Sequence, residues 1–302
     1  MKKYFLLFFA FALVCTSKGQ QDAQVSLYLR NPVQYNPAHA GLDGTLRTTA
    51  ISRMQWTGWE GAPRTQFFSA HAPAFRNRVG AGLAVMNDAS GARSQREFML
   101  QAAYHLPELT KGIHISAGLS LGLETAGYDF QNLTAYDLDD PAAIQPFNET
   151  RFASGFGIMA HADMWYVSFS VPQLLENDLG TTSPVGQSLR HHYTSAGYAY
   201  ALSSLLELRG AALVKTVSGA PAVIDVNAEC WLYDVLSFGA MARIGEGVGL
   251  QASYRFKDGF RFHYAVDFPT NGLMTRSFGS HEIGLAWDYG KRPVAYKSPR
   301  HF

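Results

Sequence analysis

The sequence predicts an all-β fold, a transmembrane outer-membrane β-barrel of about fourteen antiparallel strands with periplasmic N- and C-termini. Three observations predict it: a leader typical of exported proteins, apolar residues that alternate with polar ones, and long connections that alternate with short ones. Hydrophobic residues make up 47% of the chain and charged residues 16%. After the leader, the hydrophobic residues nowhere form the run of about 20 that a transmembrane helix needs.

Residues 1–19 have the features of a cleaved signal peptide. Two lysines come first, an apolar run follows, and small residues precede the expected cleavage point. The mature chain would then begin at Gln20 and be exported to the outer membrane. Cys15 leaves with the leader, so Cys230 remains as a single thiol and we expect no internal disulfide.

The alternation is clear near the C-terminal end, where Phe260, Phe262 and Tyr264 alternate with Arg261 and His263. Such segments are strands with one apolar and one polar face. We count roughly fourteen of them, centred on Ala50, Ser69, Ala84, Leu100, Leu119, Gly157, Ser168, Gly197, Gly210, Asn227, Ala240, Ala252, Tyr264 and Leu285. Side chains fill a closed barrel of about eight strands, so a larger barrel has an open lumen and places its apolar face against lipid. A soluble two-sheet sandwich is the alternative.

The connections indicate the topology. The long connections, at residues 128–151, 173–190 and 269–280, follow odd-numbered strands, whereas even-numbered strands end in hairpin-sized turns. Outer-membrane barrels have long loops outside and short turns in the periplasm. The predicted organisation is a leader at 1–19, a periplasmic or plug segment at 20–44, the barrel at 45–289 and a basic periplasmic tail at 290–302.

Short motifs occur in a specific order along the mature chain. They comprise Gln21, Asp22, Gln24, Ser26, Tyr28, Asn31, Pro32, Asn36, Pro37, Ala38, Ala40, Gly41, Arg53, Gln55, Trp56, Gly58, Gly61, Ala62, Pro63, Arg64, Thr65, Asn87, Asp88, Gly91, Asp139, Asp140, Pro141, Ser170, Val171, Pro172, Leu174, Leu175, Ser280, His281, Glu282 and Ile283. Together they resemble the PorP/SprF family of Bacteroidetes outer-membrane proteins. Ala23 and Leu27 depart from the family pattern.

The resemblance implies a non-enzymatic barrel of the type IX secretion and gliding motility machinery. The implied partners are a secreted adhesin, whose C-terminal sorting domain the barrel binds and anchors or helps to export, other periplasmic and outer-membrane components of the apparatus, and the lipid bilayer. The alternative is a diffusion porin or transporter for a small apolar solute, with residues 20–41 as its plug. A purely structural outer-membrane protein is a third possibility.

The sequence carries few signs of a catalytic or metal-binding site. No hydrolase elbow, zinc-protease or nucleotide-binding motif occurs, so we predict neither an enzyme nor a cofactor nor a metal. Asp137, Asp139 and Asp140 are spaced as in a calcium loop, but the glycine and the terminal glutamate of an EF-hand are missing, which favours a solvated loop. A net charge of +1 gives no basic stripe for nucleic acid.

Three segments are candidates for binding a partner. The predicted residues are Asn31 and Asn36 in the segment before the first strand, Trp56, Trp59 and Arg64 after the first strand, and Lys291, Arg292, Lys297 and Arg300 in the tail. Tryptophan and arginine are enriched at binding hot spots. Alternatively, Trp56 lies in the aromatic girdle at the membrane surface and Arg64 is ion-paired in the lumen. The default for the tail is disorder.

Overall fold

A computed structural model describes residues 23–75, 78–109, 112–129, 147–175, 189–270 and 277–290. These residues form three short 3-10 helices followed by fourteen β-strands. The strands close into one antiparallel barrel, in which each strand pairs with its neighbours along the chain and the last pairs with the first. The predicted barrel is confirmed. Within the described residues, no helix has the length and apolar character needed to cross a membrane.

The predicted strand centres all fall inside strands of the structure. The 3-10 helices are Tyr28–Arg30, Pro32–Gln34 and Pro37–His39. The strands are β1 Leu46–Met54, β2 Arg64–Ala74, β3 Val79–Ser90, β4 Arg93–His105, β5 His114–Tyr128, β6 Phe147–His161, β7 Trp165–Val171, β8 His191–Ala201, β9 Leu206–Val217, β10 Val223–Leu232, β11 Leu236–Arg243, β12 Gly247–Arg255, β13 Phe260–Pro269 and β14 Ser280–Tyr289.

The strand ends form two rims. Connections after odd-numbered strands form the loop rim, and connections after even-numbered strands form the turn rim. The longest connections, residues 129–146 and 172–190, lie at the loop rim as predicted. Three connections break the predicted alternation: residues 91–92 and 244–246 at the loop rim are short, and residues 106–113 at the turn rim are long. Since outer-membrane barrels have short periplasmic turns, we infer that the loop rim faces the cell surface.

Successive side chains point alternately to lipid and to the lumen. On β5, Leu119 and Leu121 are 58% and 54% exposed on the outer face, whereas Ser116 and Ser120 are buried inside. Near the turn rim, the rings of Phe260 and Trp287 stack on adjacent strands with their centroids 5.5 Å apart. Apolar outer faces bounded by aromatic residues are typical of membrane barrels.

The lumen is occupied by residues 23–45, which we call the inner segment. Its hydrogen bonds reach side chains or backbone of β2, β4, β6, β10 and β14. Because these strands are distributed around the closed ring, the inner segment lies within it. Its Val25 and Leu27 pack on Ile51, Phe67 and Met86, which form an apolar patch on the inner wall.

Candidate functional site

A buried charged cluster holds the start of the inner segment in the half of the lumen nearer the loop rim. Arg53 on β1 and Glu282 on β14 are paired in register and form an ion pair. The Arg53 guanidinium also donates to Asp267 on β13, at 2.8 and 3.0 Å. Glu282 accepts the backbone N–H groups of Ser26 at 2.5 Å and Leu27 at 2.8 Å. The cluster therefore joins three strands to the inner segment.

A second cluster binds the inner segment nearer the turn rim. Arg30 forms an ion pair with Glu229 on β10 and lies 5.3 Å from the ring centroid of Trp231. Trp231 Nε1 and Gln251 Nε2 donate to the same carboxylate at 2.9 and 2.6 Å. Because Glu229 is satisfied by several donors, its charge is tolerated in the interior.

The end of the inner segment lies directly against the barrel wall at the turn rim. His105 Nε2 is 3.0 Å from the carbonyl oxygen of Ala40, and the N–H of Gly41 donates to His71 Nδ1 at 3.2 Å. Opposite them is Gly80, where an added Cβ would lie 1.7 Å from the Ala40 oxygen. Backbone therefore packs on backbone, and only glycine fits this wall position.

Asn36 and Pro37 rest on a pair of facing glycines. Gly118 on β5 and Gly157 on β6 are paired in register. A Cβ on Gly118 would lie 2.4 Å from the carbonyl carbon of Pro37, and one on Gly157 would lie 1.9 Å from Asn36 Oδ1. The Asn36 side chain also accepts the N–H of Ala38 at 2.9 Å, which caps the third 3-10 helix.

The two predicted binding residues of the inner segment are thus buried. Asn31 and Asn36 are each 3% exposed. Asn31 Oδ1 accepts the hydroxyl of Ser69 on β2 at 2.6 Å, so both asparagines contact the barrel. Direct contact of either with a partner stays a prediction, and it would require the inner segment to leave the lumen.

A cavity of about 270 Å³ opens near the loop rim, with Gln24, Trp56, Arg243 and Glu246 in its lining. Gln24 donates to Glu246 at 3.0 Å and accepts from Arg243 at 2.9 Å. The inner segment therefore begins at the loop rim, although β1 begins with Leu46 at the turn rim. The prediction of a periplasmic N-terminal segment is therefore wrong for its first described residues, because the segment crosses the lumen and only its end lies at the turn rim.

The Trp-rich loop between β1 and β2 borders this cavity. Trp56 has a left-handed backbone, with φ 46°, and its N–H donates to Ser280 Oγ at 3.3 Å. Trp56 is half-buried and lines the cavity. Trp59 is 44% exposed. Arg64 is exposed at the start of β2, on the strand's outer face, so the alternative of an ion pair in the lumen is wrong.

Several predicted features lie outside the described residues. They are the leader at 1–19, the acidic residues Asp137, Asp139 and Asp140, and the tail residues Lys291, Arg292, Lys297 and Arg300. Tyr289, the last residue of β14, lies at the turn rim. Among the residues that are described, no group of three or more His, Cys, Asp or Glu side chains could hold a metal ion.

The fold and the occupied lumen define an outer-membrane β-barrel that carries its own N-terminal segment inside. A family model described as type IX secretion system membrane protein PorP/SprF matches residues 17–287. The chain belongs to this family, as the motifs indicated.

Solved structures of outer-membrane proteins align with most of this chain. The outer membrane protein Omp33 of Acinetobacter baumannii is 10% identical, with a TM-score of 0.48 over 82% of this chain and 100% of that chain. The CymD monoaromatic hydrocarbon channel is 10% identical, with a TM-score of 0.50 over 87% of this chain and 94% of that chain. At 10% identity, the likeness to the CymD channel shows similarity of fold alone. A search of curated proteins found no match.

Proposed function

We propose that this protein is a docking barrel of the type IX machinery. It binds a secreted surface adhesin through the adhesin's C-terminal sorting domain, and it anchors that adhesin or helps to export it. Membership of the PorP/SprF family supports a role in type IX secretion. The observation that carries the proposal is the occupied lumen, because a barrel filled by its own chain is better suited to binding at its rims than to passing solutes.

The contacts of the inner segment argue against easy opening. Arg30 of the inner segment forms a buried ion pair with Glu229 on β10, and the fully buried Glu282 accepts the backbone N–H groups of Ser26 and Leu27. Separating one partner of a buried ion pair typically costs about 3–5 kcal/mol, because the other charge is left uncompensated. A small apolar solute offers no charge that could replace these partners.

The loop rim offers the partner surface. Trp59 and Arg64 are exposed there, and Trp56 borders the cavity beside them. The loop is held in place, since the N–H of Thr57 donates to Gly279 at 2.8 Å and Phe278 donates back to Thr57 at 3.0 Å. A preformed loop loses little conformational entropy on binding, and tryptophan and arginine commonly dominate binding energy.

The test is co-purification from native outer membranes. The double variant Trp59→Ala, Arg64→Ala should assemble normally but retain much less of an adhesin with a type IX sorting domain. The matched control is Tyr233→Ala, which removes an aromatic side chain, 65% exposed, from the β10–β11 turn at the opposite rim. Retention of the adhesin by the double variant, or absence of any such adhesin from the wild-type preparation, would contradict the proposal.

The basic tail is proposed as a periplasmic docking strip. It follows β14, which ends at the turn rim, and carries Lys291, Arg292, Lys297 and Arg300. Its contacts should weaken as salt rises, because the Debye length is about 8 Å at physiological ionic strength. A chain truncated after Gly290 should insert normally but lose periplasmic partners. If those partners remain, the short turns or the inner segment must provide the contact.

A further inference from the structure

On the outer wall of β2–β6, the surface changes from apolar to polar over two residues along each strand, in the direction of the loop rim. The row further from the loop rim, which we call the apolar row, is paired in register and consists of Phe68, Val85, Phe98, Leu123 and Phe152. Two residues nearer the loop rim, the polar row consists of Gln66, Asn87, Arg96, Thr125 and Thr150. Both rows point outward, because residues that alternate in a strand share a face.

The polar wall does not continue onto β12 and β13. On these strands, Val248 and Phe268 are paired one residue from the strand ends and are 50% and 45% exposed. Ile244, in the β11–β12 loop, is 60% exposed. Apolar surface thus reaches the loop rim there. Strands β4–β6, with 13 to 15 residues, extend further than β11 and β12, with 8 and 9, so they carry polar surface beyond the apolar band.

The cations of this wall are not neutralised by neighbouring acids. Arg96 lies in the middle of the polar row. Arg64 lies on β2 at the edge of the row, two residues nearer the loop rim than Gln66. Neither guanidinium pairs with another residue in the described part of the chain. The acids of these strands at this height, Asp88, Glu97 and Glu124, face the lumen, where they bind Thr65, Gln173 and Arg151 respectively.

The height of Arg96 matches the polar headgroup layer. It is two residues from Phe98, and strands rise about 3.3 Å per residue, so at a strand tilt of about 40° it lies roughly 5 Å above the apolar row along the membrane normal. The headgroup region of each leaflet is about 5–8 Å thick. A cavity of about 530 Å³ opens at this level, with Arg93, Arg96, Ser94 and Thr125 in its lining and Asp129 as its acid.

We propose that this wall binds the headgroup of a phosphate-bearing glycolipid of the outer leaflet. Arg96 and Arg64 lie roughly 12 Å apart across two strand spacings of about 4.8 Å, which allows them to contact the two ends of one diphosphorylated headgroup. Guanidinium groups bind phosphate through paired N–H donors. The hydroxyls of Thr125 and Thr150, 2.8 Å apart, and the amides of the polar row would contact sugar hydroxyls. The lipid would fix this side of the barrel in the outer leaflet.

The test is native mass spectrometry of the full chain in detergent, titrated with bisphosphorylated lipid A. Wild-type protein should bind it, and binding should weaken as salt rises. Arg96→Gln should weaken binding about tenfold, the expected loss of one charge-assisted phosphate contact. Arg64→Gln should act in the same direction, and Arg96→Lys should recover part of the affinity. The matched control is Arg78→Gln, which removes an exposed arginine at the opposite rim.

Dephosphorylated lipid A should bind with an affinity that does not depend on Arg96. The proposal is overturned if Arg96→Gln binds bisphosphorylated lipid A as tightly as wild type, or if Arg78→Gln loses as much affinity as Arg96→Gln. It is also overturned if Arg96→Gln keeps its lipid but loses a co-purifying protein, because the wall would then be a protein interface. Arg64 also belongs to the proposed adhesin surface, so the deciding outcomes are those of Arg96, which lies outside that surface, and they do not depend on whether the adhesin binds at the Trp59 loop.

Discussion

Arg53 and Glu282 form a buried ion pair across the seam where β1 meets β14. The same carboxylate accepts two backbone N–H groups from the inner segment, at Ser26 and Leu27. One pair therefore both closes the barrel and holds the inner segment inside it. Barrel closure and lumen occupancy should consequently be coupled, and substitutions at this seam should affect both.

The first prediction concerns Arg53→Ala. It leaves the carboxylates of Glu282 and Asp267 buried without their cation, and should destabilise the folded barrel by about 3–5 kcal/mol. The measurement is the temperature at which the compact, heat-modifiable gel band converts to the unfolded one. Arg78→Ala, an exposed arginine, should change stability by less than about 0.5 kcal/mol. Equal conversion temperatures for the two variants would show that the seam pair is unimportant.

The second prediction concerns the glycine pair beneath Pro37. Gly118→Ala places a Cβ against the Pro37 backbone, at 2.4 Å, so the inner segment must shift, at a cost of about 1–3 kcal/mol. Gly210→Ala is the matched control, because nothing lies within 4 Å of its added Cβ. Limited proteolysis should cleave the inner segment faster in Gly118→Ala only. Unchanged cleavage in Gly118→Ala would place the segment elsewhere.

The third prediction compares two positions on the same face of β5. Leu121 lies in the apolar band and is 54% exposed, so Leu121→Arg should cost about 2–4 kcal/mol near the bilayer midplane. Thr125 lies four residues nearer the loop rim, in the polar row, so Thr125→Arg should be tolerated. The measurement is the folded fraction after insertion into lipid vesicles. Similar losses for both variants would mean that the assigned membrane boundary is wrong.

The fourth prediction is a pH dependence set by His39 of the inner segment. Burial lowers its pKa from 6.5 to about 4, so its imidazole is neutral inside the lumen. A released inner segment would take up a proton on His39 near pH 6.5, whereas the buried imidazole takes it up only near pH 4. The free energy that favours the buried segment is therefore fully present above pH 6.5, decreases as the pH falls towards about 4, and is lost below it. Between these values, the free energy that holds the inner segment in the lumen should fall by about 3 kcal/mol. Cleavage of the inner segment should therefore become faster as the pH falls. The variant His39→Gln should show a weaker pH dependence, and an identical one would exclude His39 as the cause.

All fourteen strands could be predicted from the sequence, because lipid outside and a lumen inside impose opposite preferences on successive residues. Strand ends were harder to predict. The connection expected at residues 128–151 is shorter in the structure, since β6 already begins at Phe147 and pairs with β5 up to Tyr128. Above the membrane both faces are polar, so alternation no longer marks where pairing stops.

The conformation of the inner segment could not be predicted in this way. Its contacts join residues up to 256 positions apart, as between Ser26 and Glu282, and its own sequence shows no strand alternation. Two signals nevertheless point to it. Phe67 and Met86 are apolar residues paired in register on the inward face, and Gly118 faces Gly157 on the same wall. An apolar, glycine-lined lumen wall indicates a chain packed against it.

The central claim, that the lumen is closed by the inner segment, is tested most directly by single-channel conductance in planar lipid bilayers. The full-length mature chain should insert without a steady open current, and a variant that lacks residues 23–44 should conduct. Because both proteins keep all fourteen strands, the comparison isolates the inner segment. A large, steady conductance in the full-length protein, unchanged by the deletion, would contradict the account and favour a diffusion pore.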